Sequence, residues 1–472
     1  MKKLARLLVF AFCISLFVSC VPKPTLKKSI YANAGQVFVY LSSFQEPSLD
    51  ITFTLSAMSF MDEEGIWYDV ALELPVINST NLSGAQIKIE EFYLPAGKYE
   101  RLKWRISEAT YKRGNKKFSL ALPEAVHNQR LDGELSLDIK FDVFFRESLC
   151  LFVEWDPDRS IIDNYLFKPR LTVRPQGLEI KNILAYVSNE ASNCVTVIDR
   201  QENLVVGTIA VGEAPRGIIA SDDGTKVYVA NSGSNSISVI DTSGNKVTNT
   251  IENRGYAPEE LALSWDDNTL YATNPFSNNV SVIDVVSKVV IDRIDVGKKP
   301  TGIVADKERR KIYVANTDSL NISVIDTDSR TVASSLTVSS NPRFLALCND
   351  RLYVGNERVN DIYVIDLPSY SIKTVNVGFR PEWLVCGLSN RIYAANSNYN
   401  EISFVHTTLD MVTRSIPVGH YPSGMAVDTI RKNLYVANRL SGNVSVIDVI
   451  TEKLKKTIQV GEQPHRIALI AE

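Results

Sequence analysis

The stretch YVANTDSLNISVID, residues 313–326, sets two short runs of β-forming residues on either side of a polar Asn/Ser turn, which is the pattern of a hairpin. Working outward, an apolar run from Thr301 to Ala305 follows Pro300, and a further run spans Val332 to Val338. Together these predict a four-stranded antiparallel meander. The unit recurs. Tyr-x-x-Asn begins at Tyr186, Tyr228, Tyr271, Tyr313, Tyr353, Tyr393 and Tyr435, with spacings of 40 to 43 residues, and a period near forty means stacked supersecondary units.

Several of these runs are apolar on successive residues, as in Ile237 to Ile240 and Val444 to Ile447. Both faces of each small sheet must therefore be covered, which radial arrangement of blades achieves. Asp199, Asp241, Asp284, Asp326, Asp366 and Asp448 end strands and open turns, where a short carboxylate accepts backbone N–H groups. His406 takes this place in the sixth copy. The motif asparagines read as turn organisers in the same way. The strand-opening prolines are Pro215, Pro258, Pro300, Pro342, Pro381, Pro422 and Pro464, and their phase differs from that of the tyrosines. Tyr186 has no such strand before it, and the Pro464 strand has no tyrosine strand after it. Residues His465 to Ile470 are thus expected to complete the blade begun by residues 184 to 211, removing exposed sheet edges.

Tyr228-Val-Ala-Asn231, Tyr313-Val-Ala-Asn316 and Tyr435-Val-Ala-Asn438, each followed by a Val-Ile-Asp strand, resemble the YVTN family of β-propeller repeats over residues 183–472. The resemblance implies a seven-bladed ring in a periplasmic or cell-surface protein of bacteria or archaea, with a binding role more often than catalysis. The fold class expected is all-β, a seven-bladed β-propeller preceded by a β-sandwich. That sandwich is expected over residues 35–178, where β-rich runs such as Val37 to Leu41, Ile87 to Phe92 and Leu149 to Trp155 are broken by turns such as Pro95-Ala-Gly97. Leu94-Pro-Ala-Gly-Lys-Tyr99 and Trp155-Asp-Pro-Asp158 resemble transthyretin-like sandwich domains of bacterial lipoproteins.

Lys2, Lys3 and Arg6 precede an apolar stretch from Leu7 to Val18 that ends in Ser19-Cys20, the order of a secretory signal. Leu16-Phe-Val-Ser-Cys20 is similar to a bacterial lipobox, which implies acylation of Cys20, residues 20–34 as a tether, and a place in the cell envelope at the outer membrane or cell surface. The alternative is ordinary cleavage and an unmodified soluble protein. The formal net charge of −3 supplies no basic field for nucleic acid, which is disfavoured as a partner. Cys150, Cys194, Cys348 and Cys386 show no CxxC spacing and read as free buried thiols.

Catalytic signatures are absent: there is no Gly-x-Ser-x-Gly, no His-Glu-x-x-His and no Cys-x-x-Cys-His. With only four histidines, no metal or other cofactor is expected. The loops around the channel mouth carry the variation. Immediately after the seven prolines stand Arg216, Glu259, Thr301, Arg343, Glu382, Ser423 and His465, and Arg380 and Tyr421 precede two of them. Arg216, Glu259, Arg343, Arg380, Glu382, Tyr421 and His465 are therefore the candidate ligand-binding residues. Phe344 and Trp383 read as core, with stacking on a ligand as the alternative. The function expected is an exported, lipid-anchored envelope protein that presents this mouth to a protein, peptide or glycan. The alternative is an enzyme of lactonase or lyase type, with Glu382 or Glu259 as base and His465 with Arg343 in electrostatic support.

Overall fold

The structure is a computed structural model that describes residues 33–72, 76–122, 133–177, 183–378 and 380–470. Within each repeat, the second and third strands are buried on almost every residue, whereas the outermost strand alternates, as in Lys246–Glu252. The cause is lateral stacking: inner strands are covered on both faces by neighbouring sheets, and the outer one turns a face to water. Seven four-stranded antiparallel sheets result among the described residues. We number them as blades. Blade 1 contains Leu184–Asn189, Cys194–Asp199, Leu204–Ala210 and Pro464–Leu469; blades 2 to 7 span 215–252, 261–295, 300–337, 342–376, 381–417 and 422–459.

The last strand, Pro464–Leu469, pairs antiparallel with Leu184–Asn189, Tyr186 opposite Ala468. It lies between Pro215–Ala220 and Pro422–Asp428, so the innermost strands form a closed ring. On the face opposite the mouth, buried Arg200 latches the seam. Its guanidinium donates to Asp428 Oδ2 (2.9 Å) and to the Ile470 carbonyl (2.7 Å). The fold is a seven-bladed β-propeller.

The motif residues hold blades together. All seven tyrosines are buried. Tyr186 and Tyr435 donate their hydroxyls to Asn245 Oδ1 and Asn203 Oδ1 in the following blade, both at 2.7 Å. The asparagines tie second strand to third: Asn438 Nδ2 donates to Asn443 Oδ1 (2.8 Å) and Ser445 Oγ (2.9 Å). Asp326 accepts from the Ser329 N–H (2.8 Å), and in the sixth repeat His406 Nδ1 accepts from the N–H groups of Thr408 and Leu409, both at 3.3 Å.

Before the ring, a sheet of Arg170–Pro175, Ser148–Asp156, Ala34–Ser43 and Gln86–Pro95 faces a second sheet built on Asp50–Asp62 and Gly97–Arg113. Their shared core includes Phe53, Trp104 and Trp155. Ala34–Ser43 is buried on both faces: Val37, Val39 and Leu41 point into the sandwich, while Phe38 and Tyr40 join Cys150, Phe152, Val187 and Val205 in an apolar seam against blade 1. Gln176 seals that seam, accepting from the Thr208 N–H (2.8 Å) and donating to the Thr208 carbonyl (3.2 Å).

One expectation is corrected. Cys348 and Cys386 form a disulfide, with Cα atoms 5.3 Å apart, whereas Cys150 and Cys194 are free and buried. The bonded cysteines end the innermost strands Pro342–Cys348 and Pro381–Cys386 of adjacent blades. The ends of innermost strands in adjacent blades become neighbours in a ring, and local spacing does not reveal that.

Candidate binding mouth of the propeller

Rigid backbone surrounds the mouth. Ala214, Ala257, Lys299, Arg380, Tyr421 and Gln463, each just before one of the seven prolines, adopt left-handed φ between 47° and 57°; only in the third blade does the strand start later, at Leu261 rather than at Pro258. An asparagine from the preceding blade locks several of these corners. Asn193, Asn278 and Asn400 accept the N–H groups of Ala214 (2.8 Å), Lys299 (2.9 Å) and Tyr421 (2.9 Å). The side chains that follow therefore project from fixed points around the opening.

Those side chains form an alternating chain of charge. Glu190 bridges Arg439 (2.7 Å) and Arg216 (3.0 Å). Arg216 and Arg343 each approach Glu259 to 3.9 Å. Arg343 also faces Glu382 (3.5 Å) and Glu357 (3.3 Å), and Glu357 lies 3.6 Å from Lys299. Glu382 in turn accepts from Arg380 (3.3 Å) and from the Tyr421 hydroxyl (3.1 Å). Burial, then the Glu382 charge, raises the Tyr421 pKa, so its hydroxyl stays a donor.

Beneath this rim the channel is plugged. At the second position after the proline, three blades carry Gly217, Gly302 and Gly424, where a Cβ would meet a neighbouring strand's carbonyl at 2.6, 2.3 and 2.3 Å. The remaining four carry Glu260, Phe344, Trp383 and Arg466. Arg466 Nε donates to Glu260 Oε1 (2.6 Å), and its guanidinium lies 3.9 Å from the Trp383 ring centroid and 5.0 Å from that of Phe344. Its Nη1 also donates to the Ser423 carbonyl. Burial pushes the Glu260 carboxyl up to about 7 against the pull of Arg466, and Glu259 adds to the rise. Phe344 and Trp383, whose rings lie 5.4 Å apart, thus face the channel axis and hold Arg466.

Six of the seven candidates, Arg216, Glu259, Arg343, Glu382, Arg380 and Tyr421, meet in the rim chain. His465 has no place in that ion-pair chain and is buried; burial first, then Arg466, Arg216, Arg439 and Arg343, hold its imidazole well below the usual histidine range. Cys20 lies outside the described residues. Glu190, Glu357 and Arg439 were missed, although each follows the Asn of its Tyr-x-x-Asn motif, a position held elsewhere by Ser232, Thr317 and Ser397. Glu260 and Arg466 were missed because they stand inside runs that read as strand interior. Among the described residues, no group of three or more His, Cys, Asp or Glu is placed to hold a metal ion.

This geometry can be set beside known proteins. Residues 195–308 match the family described as YNCE-like β-propeller. The YNCE-like match runs from blade 1 into blade 4. No curated protein matches the chain. Among solved structures, it is similar to hydrazine synthase of Kuenenia stuttgartiensis, with a TM-score of 0.52 and 19% identity over 56% of this chain and 91% of that one. It is also similar to two proteins described as candidate 6-phosphogluconolactonases. The Bacteroides uniformis protein has a TM-score of 0.53 and 15% identity over 61% of this chain and 100% of that one. The Bacteroides fragilis protein has a TM-score of 0.52 and 16% identity over 62% and 99%. At these identities the likeness shows the fold alone.

Proposed function

We propose that this chain is a binding protein of the bacterial cell envelope, lipid-anchored through Cys20, whose propeller mouth docks a protein, peptide or glycan partner. The observation that carries the reading is Arg343. A guanidinium has five N–H donors, and this one makes a single hydrogen bond in the rim, to Glu357 Oε1 at 3.3 Å. It stands on a rigid strand in a mouth whose residues differ from blade to blade, which a pure scaffold position has no reason to do. Function is carried by such a site and not by the ring itself.

Catalysis is the weaker reading. A general base must turn a free lone pair toward its substrate, but Glu382 already accepts from Arg380 and from the Tyr421 hydroxyl, and Glu259 is buried. The test is a screen of peptides, glycans and oligonucleotides against the full chain in detergent, repeated with Arg343→Ala and Arg380→Ala. Binding that survives both substitutions refutes the mouth as the docking face. Hydrolysis of a lactone panel that disappears in Glu382→Gln would promote the enzyme reading. Detergent-phase partition that persists in Cys20→Ala would refute the anchor.

A further inference from the structure

The ion-pair network of the mouth and its floor joins six cations (Arg216, Lys299, Arg343, Arg380, Arg439 and Arg466) to five carboxylates, so charge does not cancel. One of the five, Glu260, is moreover pushed toward its neutral form. The excess is local, since the chain as a whole carries a formal charge of −3.

Donors are also left over. The buried Nε atoms of Arg343, Arg380 and Arg439 have no hydrogen-bond partner, and neither has Nδ1 of His465, a residue 8% exposed. Leaving such groups unmet costs about 1–3 kcal/mol each. Three unmet guanidinium donors and an unmet imidazole nitrogen in one opening mark a place that lacks an acceptor. The Arg343 approaches to Glu259 (3.9 Å) and Glu382 (3.5 Å) are long for charge-assisted hydrogen bonds, so its fork remains free for a better-placed oxyanion. His465 is held neutral among four guanidiniums, and a neutral imidazole offers one N–H donor without adding to their repulsion.

We propose that the mouth contains an oxyanion subsite, in which a carboxylate or phosphoryl group of the docked ligand is held by Arg343 and His465 with Arg216 and Arg439 beside it. This rests on the mouth being the docking face and names the chemistry it selects: a ligand with at least two terminal oxygens, matched to a guanidinium fork. Apolar side chains alone would leave these donors unmet, and carbohydrate hydroxyls, although they accept hydrogen bonds, would leave the excess positive charge uncompensated.

The test is calorimetric titration of the full chain in detergent at low ionic strength with inorganic phosphate, acetate and sucrose. We expect saturable 1:1 binding of at least one of the two anions, the stronger of them identifying the group, and none of sucrose. Arg343→Ala should weaken that binding at least tenfold. Glu357→Gln, which removes the carboxylate now hydrogen-bonded to Arg343, should tighten it several-fold, a change that misfolding cannot mimic. Absence of saturable binding by either anion overturns the proposal. So does an Arg343→Ala protein that binds normally, or a Glu357→Gln protein that binds no better than the parent. If a partner found in the screen is not displaced by the anion, the subsite falls and the docking face stands. If the anion binds while no partner is retained, the reverse holds.

Discussion

Replacing Arg466 with Met tests how the ring is plugged. Met keeps the apolar stem against Trp383 but removes the charge that now sits 2.6 Å from Glu260. Leaving a buried carboxylate without its partner costs about 3–5 kcal/mol. Protonation limits that cost. The Glu260 carboxyl is already raised from 4.5 to about 7, and at about 1.4 kcal/mol per unit this is about 3 kcal/mol of pH-dependent penalty. Because the folded state binds the proton more tightly than the unfolded chain, this penalty is absent below about pH 4.5 and grows as pH rises toward 7. Without Arg466 the carboxyl rises further. Arg466→Met should therefore lose about 3–5 kcal/mol at pH 8. At pH 5 it should lose only about 1–2 kcal/mol, from the cation–π contacts and the carbonyl hydrogen bonds. Glu260→Gln combined with Arg466→Met should return to within about 1–2 kcal/mol of the parent. Equilibrium urea unfolding followed by tryptophan fluorescence reads all three. Equal losses at both pH values, or a double variant no better than Arg466→Met alone, would refute the reasoning.

Deleting residues 463–472 removes the innermost strand of blade 1 and exposes unpaired edges; we expect an insoluble or protease-sensitive ring, and an unchanged melting curve would count against the closure. Cys348→Ser opens a covalent link with a sequence separation of 38, so loop-closure entropy predicts a loss of about 4 kcal/mol in urea unfolding under oxidising conditions and none under reducing ones. Hydrogen bonds from Lys226 and Ser243 hold the Asp241 carboxyl down at about 2, so its contribution is present above about pH 4 and lost as pH falls toward 2. The parent should lose stability across that window, and Asp241→Asn should flatten the profile; a parallel acid profile in the variant would sink this account.

How much was legible follows from what kind of contact each residue makes. Tyr-x-x-Asn, the strand-ending aspartates and the prolines recur because every blade meets its neighbour in the same way, so repetition itself exposes them. The apolar run within Ala34–Ser43 also leaves a local trace, although only the structure shows that Phe38 and Tyr40 face blade 1 and not solvent. The rim candidates were legible as failures of repetition, whereas Glu190, Glu357 and Arg439 hid in a second variable position after the motif asparagine.

Period, strand pattern and turn chemistry are properties of short windows, and from them the sequence alone determined an all-β chain with seven repeated sheets and a sandwich before them. Tertiary structure decided everything that depends on distant residues sharing a point. Arg466 reaches Glu260 across the channel at a separation of 206 residues, Cys348 reaches Cys386 between neighbouring blades, and Arg343 stands among Glu259, Glu357 and Glu382. A ring brings equivalent positions of separate repeats to one axis. Charge at that axis is set by sums over blades that no single window contains.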